Sequence, residues 1–228
     1  MKKQLINTLN FAHRGFTKKY RENTLNAFEA AIKIGVDGIE CDIQETADHN
    51  FIITHDSKIF GEDINQLSMT QIKRIAKKNN YEIPSLEETI ALCHKRTKLM
   101  LDLKQINSLN LLANILKSNA IIDDLFLVSF NSDLISQIPD SLLEIKKGII
   151  TDYPMRNTIP LLVTRQIDLV LIKLQFLYKE SVDKFYENNM AIFIWDCNDS
   201  QDIQNALSFD IDGIISDCPA IASRLLKL

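Results

Sequence analysis

Short apolar runs alternate with amphipathic segments along the whole chain. The runs span Leu9 to Gly15, Gly38 to Gln44, Lys98 to Lys104, Leu125 to Phe130, Ile145 to Thr151, Leu169 to Lys173, Met190 to Asp196 and Gly213 to Asp217. Their length suits strands, and between them apolar residues recur at the three- and four-residue spacing of one helix face. After the first run, Leu25, Phe28, Ala31 and Ile32 share such a face. Thr24 offers a hydroxyl as its amino-terminal cap, and Gly35 can take the left-handed conformation that ends it. Strands that alternate with helices pair in parallel, because a parallel neighbour needs a crossover. Eight such units predict an α/β protein folded as a TIM (β/α)8 barrel, with its working end at the strand carboxyl termini. A ninth strand-like run, Phe51 to Asp56, follows the turn-like Ala47 to Asn50 and predicts a small hairpin inserted after strand two, lying over the barrel mouth. The chain has 228 residues, compact for eight units, so an open doubly wound sheet is the competing architecture.

Charged residues at the strand ends favour the barrel. In a closed barrel, inward residues at the carboxyl ends converge, whereas those lower down form apolar layers. The first run ends with His13 and Arg14, the second with Glu40 and Asp42, and the third with Asp102 and Lys104. Side chains alternate faces along a strand, so Glu40 and Asp42 share one face while Ile39, Cys41 and Ile43 share the other. Asp102 and Lys104 repeat the pattern against Leu101 and Leu103. Burying three carboxylates together is costly without compensation, which a divalent cation supplies. Oxygen ligands alone indicate a hard ion, magnesium or calcium. His13, and His55 at the end of the inserted run, can act as acid and base on two sides of a substrate. Arg14 and Lys104 add fixed positive charge, which suits a phosphate.

Blander roles fit the remaining polar residues. Glu22 and Asn23 read as the start of the first helix, His49 and His94 as solvated, and Lys77 with Lys78 as a helix end in water. Trp195 suits core packing and an apolar wall for a glycerol or lipid group equally.

Composition narrows the partners. With 26 basic and 30 acidic residues, the net charge of −4 provides no field to attract nucleic acid. No apolar stretch reaches the length of a membrane span, and the amino terminus lacks a signal-peptide pattern, so a cytoplasmic protein is expected. The hydrophobic content and the lack of a Pro-, Gly- or Ser-rich linker predict one domain over residues 1–228. Cys41, Cys93, Cys197 and Cys218 sit among apolar neighbours, without metal-type spacing, and predict no disulfide framework.

In order, the stretches AHRG, ENTLNAF, GVDGIECDIQETAD and FIITHD resemble the amino-terminal signature of the glycerophosphodiester phosphodiesterases. IPSLEETI, MLDLK, LVSF, IWDCN and IDGIISDCP extend the resemblance from Phe11 to Pro219. It implies that Glu40, Asp42 and Asp102 bind a divalent metal, that His13 and His55 are the acid/base pair, and that Arg14 and Lys104 hold the phosphate. It further implies attack by the glycerol 2-hydroxyl on phosphorus and hydrolysis of the resulting cyclic phosphate, giving glycerol 3-phosphate and an alcohol. Three departures bear on substrate and metal: Asp102 replaces a glutamate, the insertion after Asp56 looks reduced, and Asp196 and Cys197 replace Thr-Val after Trp195. A lysophospholipase D activity and a noncatalytic metal- or ligand-binding barrel are the alternatives.

Overall fold

Each of the eight apolar runs forms a strand in the computed structural model, which describes residues 8–119, 121, 124–152 and 159–227. The strands are β1 (Leu9–His13), β2 (Gly38–Glu45), β3 (Phe51–Ile53), β4 (Lys58–Ile59), β5 (Glu62–Asp63), β6 (Lys98–Leu103), β7 (Leu125–Ser129), β8 (Lys146–Thr151), β9 (Leu169–Lys173), β10 (Ala191–Trp195) and β11 (Gly213–Ser216). The helices are α1 (Leu25–Ile34), α2 (Met69–Lys78), α3 (Leu86–Cys93), α4 (Leu109–Ser118), α5 (Ser132–Ser136), α6 (Ile159–Thr164), α7 (Lys179–Glu187), α8 (Ser200–Leu207) and α9 (Pro219–Leu225).

Strand β1 pairs in parallel with both β2 and β11, and the series β2, β6, β7, β8, β9, β10, β11 is parallel throughout. These pairings form an unbroken ring, which makes an eight-stranded TIM barrel and removes the open-sheet alternative, where two strands would each keep a free edge. The cap residues of α1 behave as predicted: Thr24 accepts from the Ala27 amide, and Gly35 is left-handed at φ 80°.

The barrel interior is layered. Phe11, Met100, Phe126, Leu169 and Phe193 form its apolar floor, with the Phe11 ring edge-on to Phe126 and Phe193 at 5.6 Å. Gly38 and Gly213 leave room for these rings, since a Cβ there would stand 2.1 Å from Phe11 and 2.3 Å from Phe193. Two residues further along the same strands come His13, Asp102, Leu171 and Trp195, which share the inward face by the two-residue period. The floor thus supports the mouth. Outward-facing residues such as Ile39, Ile43, Leu101 and Val170 pack under the helices.

Several strands stop earlier than their apolar runs suggest. Arg14, Lys104, Phe130, Asp196 and Asp217 lie just beyond the ladders, and Arg14 and Asp196 turn away with φ of 55° and 71°. The inserted hairpin is present: β3 runs antiparallel to β2, pairing Ile43 with Ile53 and Glu45 with Phe51. It ends at Ile53, not Asp56. The insertion beyond it is not a mere connector, because Ile52, Ile59, Ile64, Ile72, Ala76 and Ile83 bury a small core of their own. The end of the hairpin run reaches the mouth, where His55 lines the central cavity, whereas no described residue from Lys58 to Tyr81 does. All four cysteines are buried thiols. Among the described residues, no helix is long and apolar enough to cross a membrane.

Candidate active site

A cavity of about 190 Å³ opens at the carboxyl ends of the strands and is lined by His13, Arg14, Glu40, Asp42, His55, Asp102, Lys104, Phe130, Ile150, Leu171, Trp195 and Ile215. All eight residues singled out from the sequence as candidate site residues meet here.

The three carboxylates converge because β2 and β6 run in register. Asp42 pairs directly with Asp102, and Glu40 stands two residues below on the same face. One oxygen from each lies within 4.8 Å of the others. Burial, with Asp42 adding like charge, pushes the Glu40 carboxyl up to about 7. Burial also lifts Asp102 to about 6, opposed by Lys104. Asp42 goes the other way: burial would raise it, but Lys104, Arg14 and Asn23 together hold it below the usual carboxylate range. The Asp102 Oδ1 atom is buried and has no hydrogen-bond partner. A buried, orphaned carboxylate oxygen within a cluster of three carboxylates fits a hard divalent cation, and the all-oxygen donor set agrees.

The cations are shared among these carboxylates. Lys104 Nζ contacts Asp102 and reaches Asp42 Oδ1 at 2.9 Å. The Arg14 Nε stands 3.0 Å from Asp42 Oδ2, and its Nη1 is 3.0 Å from Glu22. Both side chains keep a face on the cavity. The loop that carries Arg14 depends on Gly15, left-handed at φ 89° and pressed so closely on α1 that a Cβ would meet Ala27 at 2.8 Å.

The two histidines differ in support. The His13 Nδ1 lies 2.7 Å from Asp217 Oδ1, while its Nε2 faces Glu40 Oε2 at 3.9 Å. Burial lowers its pKa, but the hydrogen bond to Asp217 and the charge of Glu40 raise it further, to a net increase. Among the described residues, the His55 ring meets the side chain of its exposed neighbour Asp56 at 2.9 Å and is itself half-exposed. Its loop is anchored by the buried Gln44, whose Nε2 donates to the carbonyls of His55 (2.8 Å) and Asp56 (2.6 Å).

Some assignments made from the sequence change. Asn23 does not begin α1; it sits at φ 55°, buried, donating from Nδ2 to Asp42 Oδ2 at 2.8 Å. Glu22 pairs with Arg14. His49 is exposed but bound to the buried Glu45 at 2.6 Å, and His94 lies just past the end of α3. Trp195 forms part of the apolar wall: its indole donates to Thr151 O at 3.1 Å, Phe130 meets it edge-on at 5.9 Å, and Lys173 Nζ lies 4.6 Å from its ring. Asp196, which follows Trp195, is 3.7 Å from Lys173. Asp217 lies in the stretch IDGIISDCP at the end of the last strand, and the sequence assigns it no role.

The model of the glycerophosphoryl diester phosphodiesterase family matches residues 13–221. A glycerophosphodiester phosphodiesterase of Bacillus altitudinis is 28% identical, the match covering 94% of this chain and 96% of the relative. Among solved structures, the glycerophosphodiester phosphodiesterase of Thermotoga maritima superposes with a TM-score of 0.80 at 25% identity, over 96% of this chain and 98% of that one. A phosphodiesterase of Oleispira antarctica, solved in complex with its product sn-glycerol-3-phosphate, superposes with a TM-score of 0.87 at 20% identity, over 96% of each chain.

Proposed function

Because the chain belongs to the glycerophosphoryl diester phosphodiesterase family and is a phosphodiesterase, we propose that it hydrolyses glycerophosphodiesters to glycerol 3-phosphate and an alcohol, using a divalent metal and a histidine acid/base pair. The observation that carries this reading is the buried triad of Glu40, Asp42 and Asp102, with one oxygen left unpartnered, flanked by two histidines in one cavity.

Glu40, Asp42 and Asp102 would hold magnesium or calcium. When bound, the ion polarises the phosphoryl oxygens and acidifies the attacking hydroxyl. His13, through Nε2, accepts the proton of the glycerol 2-hydroxyl as that oxygen attacks phosphorus. His55, at the open side, gives a proton to the departing alcohol oxygen. In the second stage the roles reverse, and water opens the cyclic phosphate. Arg14 and Lys104 spread positive charge between the carboxylates and the phosphate oxygens. The product bound by the Oleispira antarctica relative supports glycerol 3-phosphate as the released ester.

The apolar wall of Phe130, Ile150, Leu171, Trp195 and Ile215 excludes water and seats carbon rather than charge. Phe130, 50% exposed at its rim, supports a second reading in which a lysophospholipid is accepted by lysophospholipase D chemistry.

Chelator-stripped protein, given calcium or magnesium separately, should release glycerol 3-phosphate from glycerophosphocholine with at least one of them. Release from lysophosphatidylcholine of a lysophosphatidic acid would select the second reading. No release from either diester with either ion would overturn both.

A further inference from the structure

The reaction needs one nitrogen of His13 to be bare and aimed at the substrate. We propose that Asp217 and Asn198, acting in series, are positioning residues that hold His13 as the Nδ1–H tautomer with Nε2 turned to the cavity. The proposal rests on the role for His13 given above.

The placement begins with strand register. Ala12 of β1 pairs with Ser216 of β11, so the next residues along each chain, His13 and Asp217, are neighbours at the mouth. They are 204 positions apart in the sequence, and only closure of the barrel brings them together.

Donor and acceptor roles then follow from one backbone group. The Asp217 amide can only donate, and it reaches the Asn198 side chain at 2.8 Å, so the atom it meets is the amide oxygen. The other end of Asn198 is therefore its NH2, which donates to Asp217 Oδ2 at 3.0 Å. Asp217 Oδ1 faces His13 Nδ1 at 2.7 Å. An ionised carboxylate only accepts, so Nδ1 must carry the hydrogen. The lone pair is left on Nε2, which is too far from Glu40, at 3.9 Å, to be consumed by it. A histidine tautomer is set by the hydrogen bond that its other nitrogen makes, and here that bond is itself fixed.

The scaffold beneath is stiff. Ser216, fully buried, donates to Cys197 O at 2.6 Å and accepts from the Cys218 amide at 3.0 Å, tying the ends of β10 and β11 together. Asp199, next to Asn198, caps α8 through the amides of Gln201 and Asp202. Asn198 therefore stands between two anchored points. Among the described residues, His55 has no comparable chain of partners.

Asp217→Asn tests the idea, because a carboxamide can turn its NH2 towards Nδ1 and reverse the tautomer while keeping the shape. In chelated, nitrogen-15-labelled protein at about pH 9, where imidazole is neutral, the His13 signals should show a protonated Nδ1 and a bare Nε2 in the wild type. In the variant these should exchange. With the metal restored, kcat should fall on the order of 10²-fold with KM near the wild-type value, as expected when a base is present but wrongly presented. Asn198→Ala should weaken kcat less, in the same direction, with the thermal midpoint measured beside it. A variant that keeps the wild-type His13 signals, or that loses thermal stability while kcat is unchanged, overturns the proposal. The spectrum is read without turnover, so a wild type that shows the predicted tautomer but hydrolyses nothing would overturn the proposed reaction and leave the positioning intact.

Discussion

The two walls of the cavity are built from the same repeating unit and do opposite things. Every ionisable lining residue, His13, Arg14, Glu40, Asp42, His55, Asp102 and Lys104, comes from β1, β2, β6 or the loops that follow them and the inserted hairpin. Every apolar lining residue, Phe130, Ile150, Leu171, Trp195 and Ile215, comes from β7 to β11 or the turn just after β7. Below the mouth the difference disappears, since both halves contribute to one aromatic and aliphatic floor. The division therefore arises in a single layer of side chains. It separates a wall that carries charge at a cost in stability from a wall that supplies stability and shape.

The sharpest test is to remove a proton carrier from the charged wall. His13→Ala should cut kcat by ~10²- to 10⁴-fold, the usual cost of losing an acid or base, with little change in folding. Steady-state kinetics beside a thermal melt checks both halves of that statement. A melt that collapses with the activity would show that the charged wall is also structural, and the contrast between the walls would fail.

A smaller effect should show the cost of the charged wall directly. Without a cation, the Glu40 carboxyl titrates at about 7 against an ordinary value of 4.5. A carboxyl whose folded pKa is raised contributes stability that is complete below its unfolded pKa and lost as pH rises through the folded one. Chelated protein should therefore lose on the order of 1–3 kcal/mol from this group between roughly pH 5 and pH 8. Glu40→Gln should flatten that slope, and saturating magnesium or calcium should reverse the loss at the upper pH. Urea unfolding at the two pH values measures it; an unchanged slope in the variant would mean that the cluster is not under electrostatic load.

The two walls were not equally legible in the sequence. Glu40, Asp42 and Asp102 could be placed together because strand parity is read residue by residue, and β2 with β6 obeys it. Thr24 and Gly35 were readable as caps for the same reason: their chemistry is local. Asn23 was misread because its partner, Asp42, is 19 residues away, and the left-handed turn that aims it leaves no pattern in the sequence. Asp217 was missed since its meaning depends on β11 closing against β1. Several apolar runs extend past their strands, as where apolar character continues to Phe130 while the ladder stops at Ser129. The insertion after His55 was underrated because its apolar residues, Ile59, Ile64 and Ile72, are spaced too irregularly to announce a core of their own.

The smallest expected effect lies on the apolar wall, and it asks whether that wall only binds. Phe130 is half-exposed, touches Trp195 edge-on and has Lys104 Nζ 5.7 Å from its ring. Truncation to alanine removes little buried area, so stability should change by about 0.5 kcal/mol or less. A substrate carbon chain lying on the ring would lose part of the benefit of burying a phenyl group, about 1.4 kcal/mol, or tenfold in KM. That penalty should appear for lysophosphatidylcholine and be nearly absent for glycerophosphocholine, which has no acyl chain to place there. Turnover should stay constant, since an interaction made equally in the ground and transition states changes KM alone. A fall in kcat at constant KM would place Phe130 among the groups that act on the reacting centre through Lys104, and the boundary between the two walls would then run through that pair instead of between them.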